Sequence, residues 1–302
     1  MGVTALARWI NAPMTGIDLI HQNIRANHNG VWRGTWRLEV RSYRSTLTAP
    51  SGMPPPSERT MCALTMNDNV FVLLDDPFAP SRGEFLMSIA QDPSQPAQHV
   101  EDPPHYRSTF LTLRPPGALE QLLALLRARW ISTRQSAPGA SQNRKPPGPQ
   151  LIIEGHIFAI GNDWIVRAGN VVLAGGTIKG MILEAEYVPV PTMSSQHPDS
   201  NTSGDLLSNL LLSVLPNVRD AKTVAVTISD SQWEDVLWDR EAEENAEQEL
   251  EREREKEKGP DDIFVVGDED LPTHRKGDWT GVDRDRRSAY LIIGALKSEG
   301  LV

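Results

Sequence analysis

A chain of 302 residues that is 39% hydrophobic and carries 23 prolines has room for a real core, accompanied by long polar loops. Its formal charge of −10 is local: residues 234–270 hold 17 acidic and 5 basic side chains, which leaves 23 acidic and 25 basic elsewhere, a nearly neutral remainder. The single cysteine, Cys62, excludes an intrachain disulfide framework and a thiolate metal cluster. The opening MGVTALARWINAPM lacks a signal-peptide apolar region, and no run approaches about 18 apolar residues. The expectation is a soluble intracellular protein.

Residues 17–29 read as a helix with Ile17, Ile20 and Ile24 on one face, Thr15 as its N-cap and Asn29-Gly30 as its stop. Period-two alternation follows in 32–45, where Arg33, Arg37, Arg41 and Arg44 interleave with Trp32, Trp36 and Tyr43. Strands at 61–66 and 70–74 flank Asn67-Asp68-Asn69, a hairpin signal. The segment 75–107 is rich in Pro, Asp, Ser and Gln and reads as irregular; a short strand follows at 110–113. A helix is expected over 118–132, with Leu119, Leu122, Leu123, Leu126 and Trp130 as its apolar stripe. A Pro/Gly linker occupies 136–149.

The run 151–191 is the best-specified folding unit: a strand at 151–160, a turn at Asn162-Asp163, short strands at 164–167 and 171–174, a turn at Gly175-Gly176, and a strand at 181–188. In that last strand Met181, Leu183, Ala185 and Tyr187 share one face, and Ile182, Glu184, Glu186 and Val188 the other. An apolar helix at 205–215, capped by Asp205, precedes an acidic segment flanked at its start by Trp233 and Trp238. Residues 240–258 have no apolar stripe and read as a solvated helix or disorder. Amphipathic character returns at 287–297, with Ala289, Ile292, Ile293 and Leu296 apolar. Together the elements predict an α+β fold, an antiparallel barrel-like sheet flanked by helices. The expected organisation is a core domain over 1–233 with loop insertions at 76–107 and 136–149, an acidic insertion at 234–277, and a C-terminal helix in 278–302 returning to the core.

Chemistry is sparse. No P-loop, nucleophile elbow or HExxH motif is present, and AGGTIKG reads as a hairpin turn. His21 and His28 read as surface residues, and His99, Asp102 and His105 as a solvated loop. Glu184 and Glu186 resemble the start of the ExExK pattern of triphosphate-tunnel metalloenzymes, but Val188 stands where the Lys belongs. They are read here as an outward polar face, and the chain as carrying no catalytic residue, cofactor or metal, and as not an enzyme. The basic-aromatic strand at 32–45 reads as an interaction surface rather than a nucleic-acid site.

The opening Met1-Gly2-Val3-Thr4, the helix after it, Ile165-Val166-Arg167, Gly169, Lys179-Gly180, Glu184-Ala185-Glu186-Tyr187, Pro189 and the Leu-rich 206–215 together resemble Mediator subunit 20, in a fungal-like form with an acidic insertion. The likeness covers most of 1–216 and, more loosely, 278–302. It implies a barrel similar in fold to Mediator subunit 18 and to the triphosphatase barrels. It further implies a non-catalytic coregulator of RNA polymerase II transcription in the nucleus, paired with subunit 18 and with a C-terminal helix of subunit 8 among other head-module subunits. Trp32, Trp36, Tyr187, Ile292 and Leu296 are the candidate partner-facing residues. A metal-dependent tunnel-type phosphohydrolase is the alternative.

Overall fold

The computed structural model describes residues 3–45, 58–90, 103–125, 130–133, 149–189, 209–216, 222–226 and 282–302. Strands β1 (Val3–Trp9), β2 (Val31–Ser45), β3 (Thr60–Met66), β4 (Asn69–Asp75), β5 (Ser108–Leu113), β6 (Trp130–Ser132), β7 (Leu151–Ile160), β8 (Trp164–Leu173), β9 (Ile178–Tyr187) and β10 (Thr223–Val226) form one sheet. Its order is β10-β1-β9-β8-β7-β2-β3-β4-β5, with β6 pairing β2 off that path. Among the described residues the helices accompanying it include α1 (Gly16–Asn27), α2 (Arg82–Ala90), α3 (Ala118–Leu125) and α4 (Val282–Ser298).

Every pairing is antiparallel, and the turns carry the residues that permit it. Asn67 takes a left-handed φ of 53° between β3 and β4, and Gly176 one of 82° between β8 and β9. At Gly180, φ is 114° and an added Cβ would sit 2.7 Å from the Trp9 carbonyl oxygen, so β9 passes β1 there only as glycine.

The sheet is curled around α4. Laid flat, β1 and β4 would stand six strand spacings apart, about 29 Å. Yet α4 packs against β1, β3, β4 and β10, and its Lys297 pairs with Asp75 of β4 while Glu299, two residues on, lies 3.7 Å from Arg8 of β1. Leu6, Leu38, Val40, Leu64, Phe71, Ile153 and Ile182 on the inward face meet Ala289, Ile292, Ile293 and Leu296 in one buried core. Among the described residues the edges β10 and β5 are not paired with each other. On the β5 side α4 meets the edge strand directly: Tyr290 packs edge-on to Phe110 (5.5 Å), and Arg286 donates to the Phe110 carbonyl at 2.8 Å. The fold is thus α+β, a barrel-like antiparallel sheet flanked by helices.

The outward face carries two smaller cores. Helix α1 lays Ile20 and Ile24 over Phe158, Val166, Leu183 and Ala185, joined by Leu211 and Val214 of a helical segment at 209–214. The Asn23 side-chain amide donates to the carbonyls of Ser213 (3.1 Å) and Val214 (2.7 Å), satisfying acceptors left open where that segment ends. Helix α3 covers Tyr43, Met61, Ala63, Val70 and Val72 through Leu119.

Four expectations need correcting. The helix expected over 118–132 is described only to Leu125, and Trp130–Ser132 is a strand paired with Ser45–Tyr43 of β2; β-prone Trp and Ile there take the unpaired side of β2 beyond its contact with β7. The irregular 75–107 contains helix α2. Strand β8 is one strand of 10 residues with an irregularity between Asn170 and Val172, not two. Thr15 precedes α1 without a side-chain capping bond. The expected cap Asp205, Trp233, Trp238, His99, Asp102, 136–148 and 234–277 lie outside the described residues. Among the described residues no helix is long and apolar enough to cross a membrane.

Candidate functional site

Pleating sends alternate β9 side chains to opposite faces. Met181, Leu183 and Ala185 go outward under α1, while Ile182, Glu184 and Glu186 go inward towards α4. Glu184 is fully buried and Glu186 is 4% exposed, which overturns their reading as an outward polar face. The face was misassigned because the barrel interior, not the exterior, is where the polar positions of β9 point.

Burying two carboxylates is costly unless each is paired and hydrogen-bonded. Register supplies the first partner: Arg167 of β8 lies directly opposite Glu184 and donates to Glu184 Oε1 and, at 3.0 Å, to Glu186 Oε2. Helix α4 supplies the rest. Arg284 Nη1 donates to Glu186 Oε2 at 2.9 Å, and its Nη2 lies 4.0 Å from Glu184 Oε1. The Ser288 hydroxyl donates to Glu184 Oε2. Arg284 also meets Asp285 at 2.9 Å, and the Asn67 amide donates to Asp285 Oδ2 at 3.2 Å. Burial alone would lower the Arg167 pKa, but Glu184 and Glu186 more than offset it and hold the guanidinium above its ordinary range.

Further along the inward face, Arg8 of β1 stands opposite Ile182. It is 2% exposed, donates to the Lys179 carbonyl at 2.9 Å and lies 3.7 Å from Glu299. Desolvation lowers its pKa, against a smaller opposing effect of Glu299. The inward face therefore carries buried charge in two places, the Arg167–Glu184–Glu186 cluster near the N-terminal end of α4 and Arg8 near its C-terminal end.

The arrangement does not fit a divalent cation while α4 is seated. Three of the four carboxylate oxygens of Glu184 and Glu186 already accept from guanidinium or hydroxyl donors. Among the described residues no group of three or more His, Cys, Asp or Glu side chains is placed to hold a metal ion.

Other candidates separate clearly. Cys62 is buried in the interior core and its thiol is pushed up to about 12, chiefly by burial, so it is inert in the folded chain. His105 bonds Asp76 at 2.7 Å, and Asp76 also accepts from Arg59 at 2.7 Å and from the Phe78 amide at 3.1 Å. Sequence reading missed this cluster, which ties both ends of the 77–105 excursion to the start of β3. His28 contacts the Ser213 carbonyl at 3.1 Å, and His21 packs near His156 and Phe158. Three of the four arginines of β2 are answered within the chain: Arg37 by Glu39 and Glu154, Arg41 by Glu39 and Glu120, and Arg44 by Glu58.

Of the candidate partner-facing residues, Trp32 is exposed and its indole donates to His156 at 3.3 Å. Tyr187 is half-buried against Trp164, ring centroids 4.6 Å apart. Trp36, Ile292 and Leu296 are buried inside the sheet and present no surface to a partner. Trp36 sits over the Gly155–Gly169 cross-strand pair, where an added Cβ on Gly169 would approach its ring to 3.1 Å.

No protein-family model matches the chain, and no curated protein matches it. Solved structures similar to it include PH1819 from Pyrococcus horikoshii OT3, at 10% identity over 76% of this chain and 94% of that one, with a TM-score of 0.32. A second is the putative adenylyl cyclase HpAC1 from Hippeastrum, described as having a dominant triphosphatase activity, at 11% identity over 74% and 93%, TM-score 0.33. A third is the hypothetical protein NE1496, at 7% identity over 65% and 85%, TM-score 0.22. The expectation that the chain is not an enzyme is corrected. It rested in part on reading Glu184 and Glu186 as an outward polar face, whereas they lie inside the sheet together with Arg167.

Proposed function

We propose that the chain acts as an interaction subunit of the Mediator head, paired with subunit 18 and contacting the C-terminal helix of subunit 8. It would support RNA polymerase II transcription in the nucleus. The reading rests on the sequence resemblance to Mediator subunit 20. The observation that carries it is the filled interior: α4 occupies the inward face, and Arg284 and Ser288 take up Glu184 and Glu186. What the fold then offers a partner is its outside, including exposed Trp32, Leu111, Leu122 and Leu125. Co-expression tests it: the chain and subunit 18 should co-purify as a stable 1:1 complex, and separate elution of the two would defeat the assignment.

A second reading, a tunnel-type phosphohydrolase, is favoured by one observation: two carboxylates and the guanidiniums of Arg8 and Arg167 share the inward face. It requires α4 to withdraw, because α4 holds those carboxylates. Triphosphate hydrolysis with Mg²⁺ or Mn²⁺, compared between the native chain and Glu184→Gln, decides it. Equal background rates for both would remove this reading.

A further inference from the structure

We infer that the buried network of Arg167, Glu184, Glu186, Arg284 and Ser288 is a register pin: it fixes where along its axis, and at which rotation, α4 seats inside the sheet.

The apolar part of α4 cannot do this alone. A helix that packs against a core on one side shows a polar face that sets its rotation. From Ser288 to Leu296, α4 instead buries Ser288, Ala289, Leu291, Ile292, Ile293, Ala295 and Leu296, with only Gly294 exposed. Being buried nearly all round, this stretch makes apolar contact at many rotations and at displacements of a turn. Non-directional burial rewards those alternatives almost equally.

Directional contacts gather at the two ends of the helix. At the N-terminal end Arg284 and Ser288, one helical turn apart, meet two carboxylates that are themselves fixed by Arg167, and Asp285 meets Asn67. At the C-terminal end Lys297 pairs with Asp75, Gln150 donates to the Leu301 carbonyl at 3.0 Å, and Arg8 lies 3.7 Å from Glu299. The two ends are unequal. Lys297 and Asp75 are each 28% exposed and so are screened by solvent, whereas Glu184 and Glu186 are at most 5% exposed. A seating displaced by one turn would leave Glu184 and Glu186 without Arg284 and Ser288, and buried carboxylates lacking partners are the costliest outcome available to this interior. The network therefore acts mainly against wrong seatings. A single buried polar contact is known to fix register in helical assemblies in the same way.

The test uses the full chain in a Cys62→Ala background with Asp75→Cys and Lys297→Cys as a reporter, cross-linked by a short bis-maleimide. The reporter removes the exposed pair, so the buried network becomes the principal pin. A second reporter, Asp75→Cys with Gly294→Cys on the preceding turn of the helix, where an added side chain meets nothing within 4 Å, reads a seating displaced by one turn. With the network intact, the native pair should cross-link and the displaced pair should not. Adding Arg284→Met with Ser288→Ala leaves Arg167 bonded to both carboxylates. It should give a protein that still melts cooperatively but divides its cross-links between the two reporters. Ser288→Ala alone should produce a smaller division of the same kind. Cross-links that stay wholly native in the double variant would overturn the inference. So would a loss of folding in both variants, which would make the network a stabilising device instead.

Discussion

Arg167 is the side chain on which the interior polar patch depends most, because it alone bonds both buried glutamates from within the sheet. Arg167→Met should cost about 3–5 kcal/mol in denaturant unfolding, the usual range for removing one partner of a buried ion pair; an exposed pair such as Arg44–Glu58 should cost under about 1 kcal/mol when broken. Asp76 makes a second, pH-dependent prediction. Burial favours its neutral form, but bonds from His105 and the Phe78 amide, together with Arg59, hold its pKa below the ordinary aspartate value. A depressed folded pKa means stability that is present above about pH 4 and lost as pH falls through the folded value. The melting temperature of the native chain should therefore fall more steeply below about pH 4 than that of Asp76→Asn. The sequence was legible here up to a point. Alternation in β9 correctly separated Met181, Leu183 and Ala185 from Glu184 and Glu186. It could not say which face was inside, because Arg284 and Ser288 lie about a hundred residues away and no local period connects them.

At the scale of elements, α4 and the glycine pair of β7 and β8 carry the argument. Cys62 lies in the same core as α4 and reports on it without added labels. Ellman's reagent at pH 8 should leave the full chain unreacted and titrate one thiol per chain when 282–302 is deleted; reaction of the intact chain would mean that α4 does not seal the interior. Gly169→Val would bring new atoms against Ile153 and Trp36, where a Cβ alone already comes within 2.9 Å and 3.1 Å. Overpacking of this kind should cost about 1–3 kcal/mol in unfolding free energy. The hairpin β3–β4 was readable from Asn67-Asp68 flanked by apolar strands, and α1 from Ile20 and Ile24 at helical spacing. The change from α3 to β6 was not. Leu119 to Trp130 has an unbroken helical stripe, and only the open side of β2 beyond β7 makes Trp130–Ser132 a strand.

At the scale of the whole molecule, a sheet that would be open by its strand pairing is curled around a helix, and that helix comes from the far end of the chain. The antiparallel class was legible because strands followed one another through short turns. The helix-filled interior was not, since apolar positions at helical spacing predict a packed helix at 287–297 but not that a sheet closes around it on nearly every side. A chain built this way places its chemistry-bearing residues under a helix and leaves apolar side chains such as Trp32 and Leu125 exposed, and the proposed pairing uses that outer surface. The most direct measurement is the mass of the species eluted after co-expression of the full chain with Mediator subunit 18. A single peak at the summed mass of one copy of each is expected; two separate peaks at the individual masses would rule out the pairing.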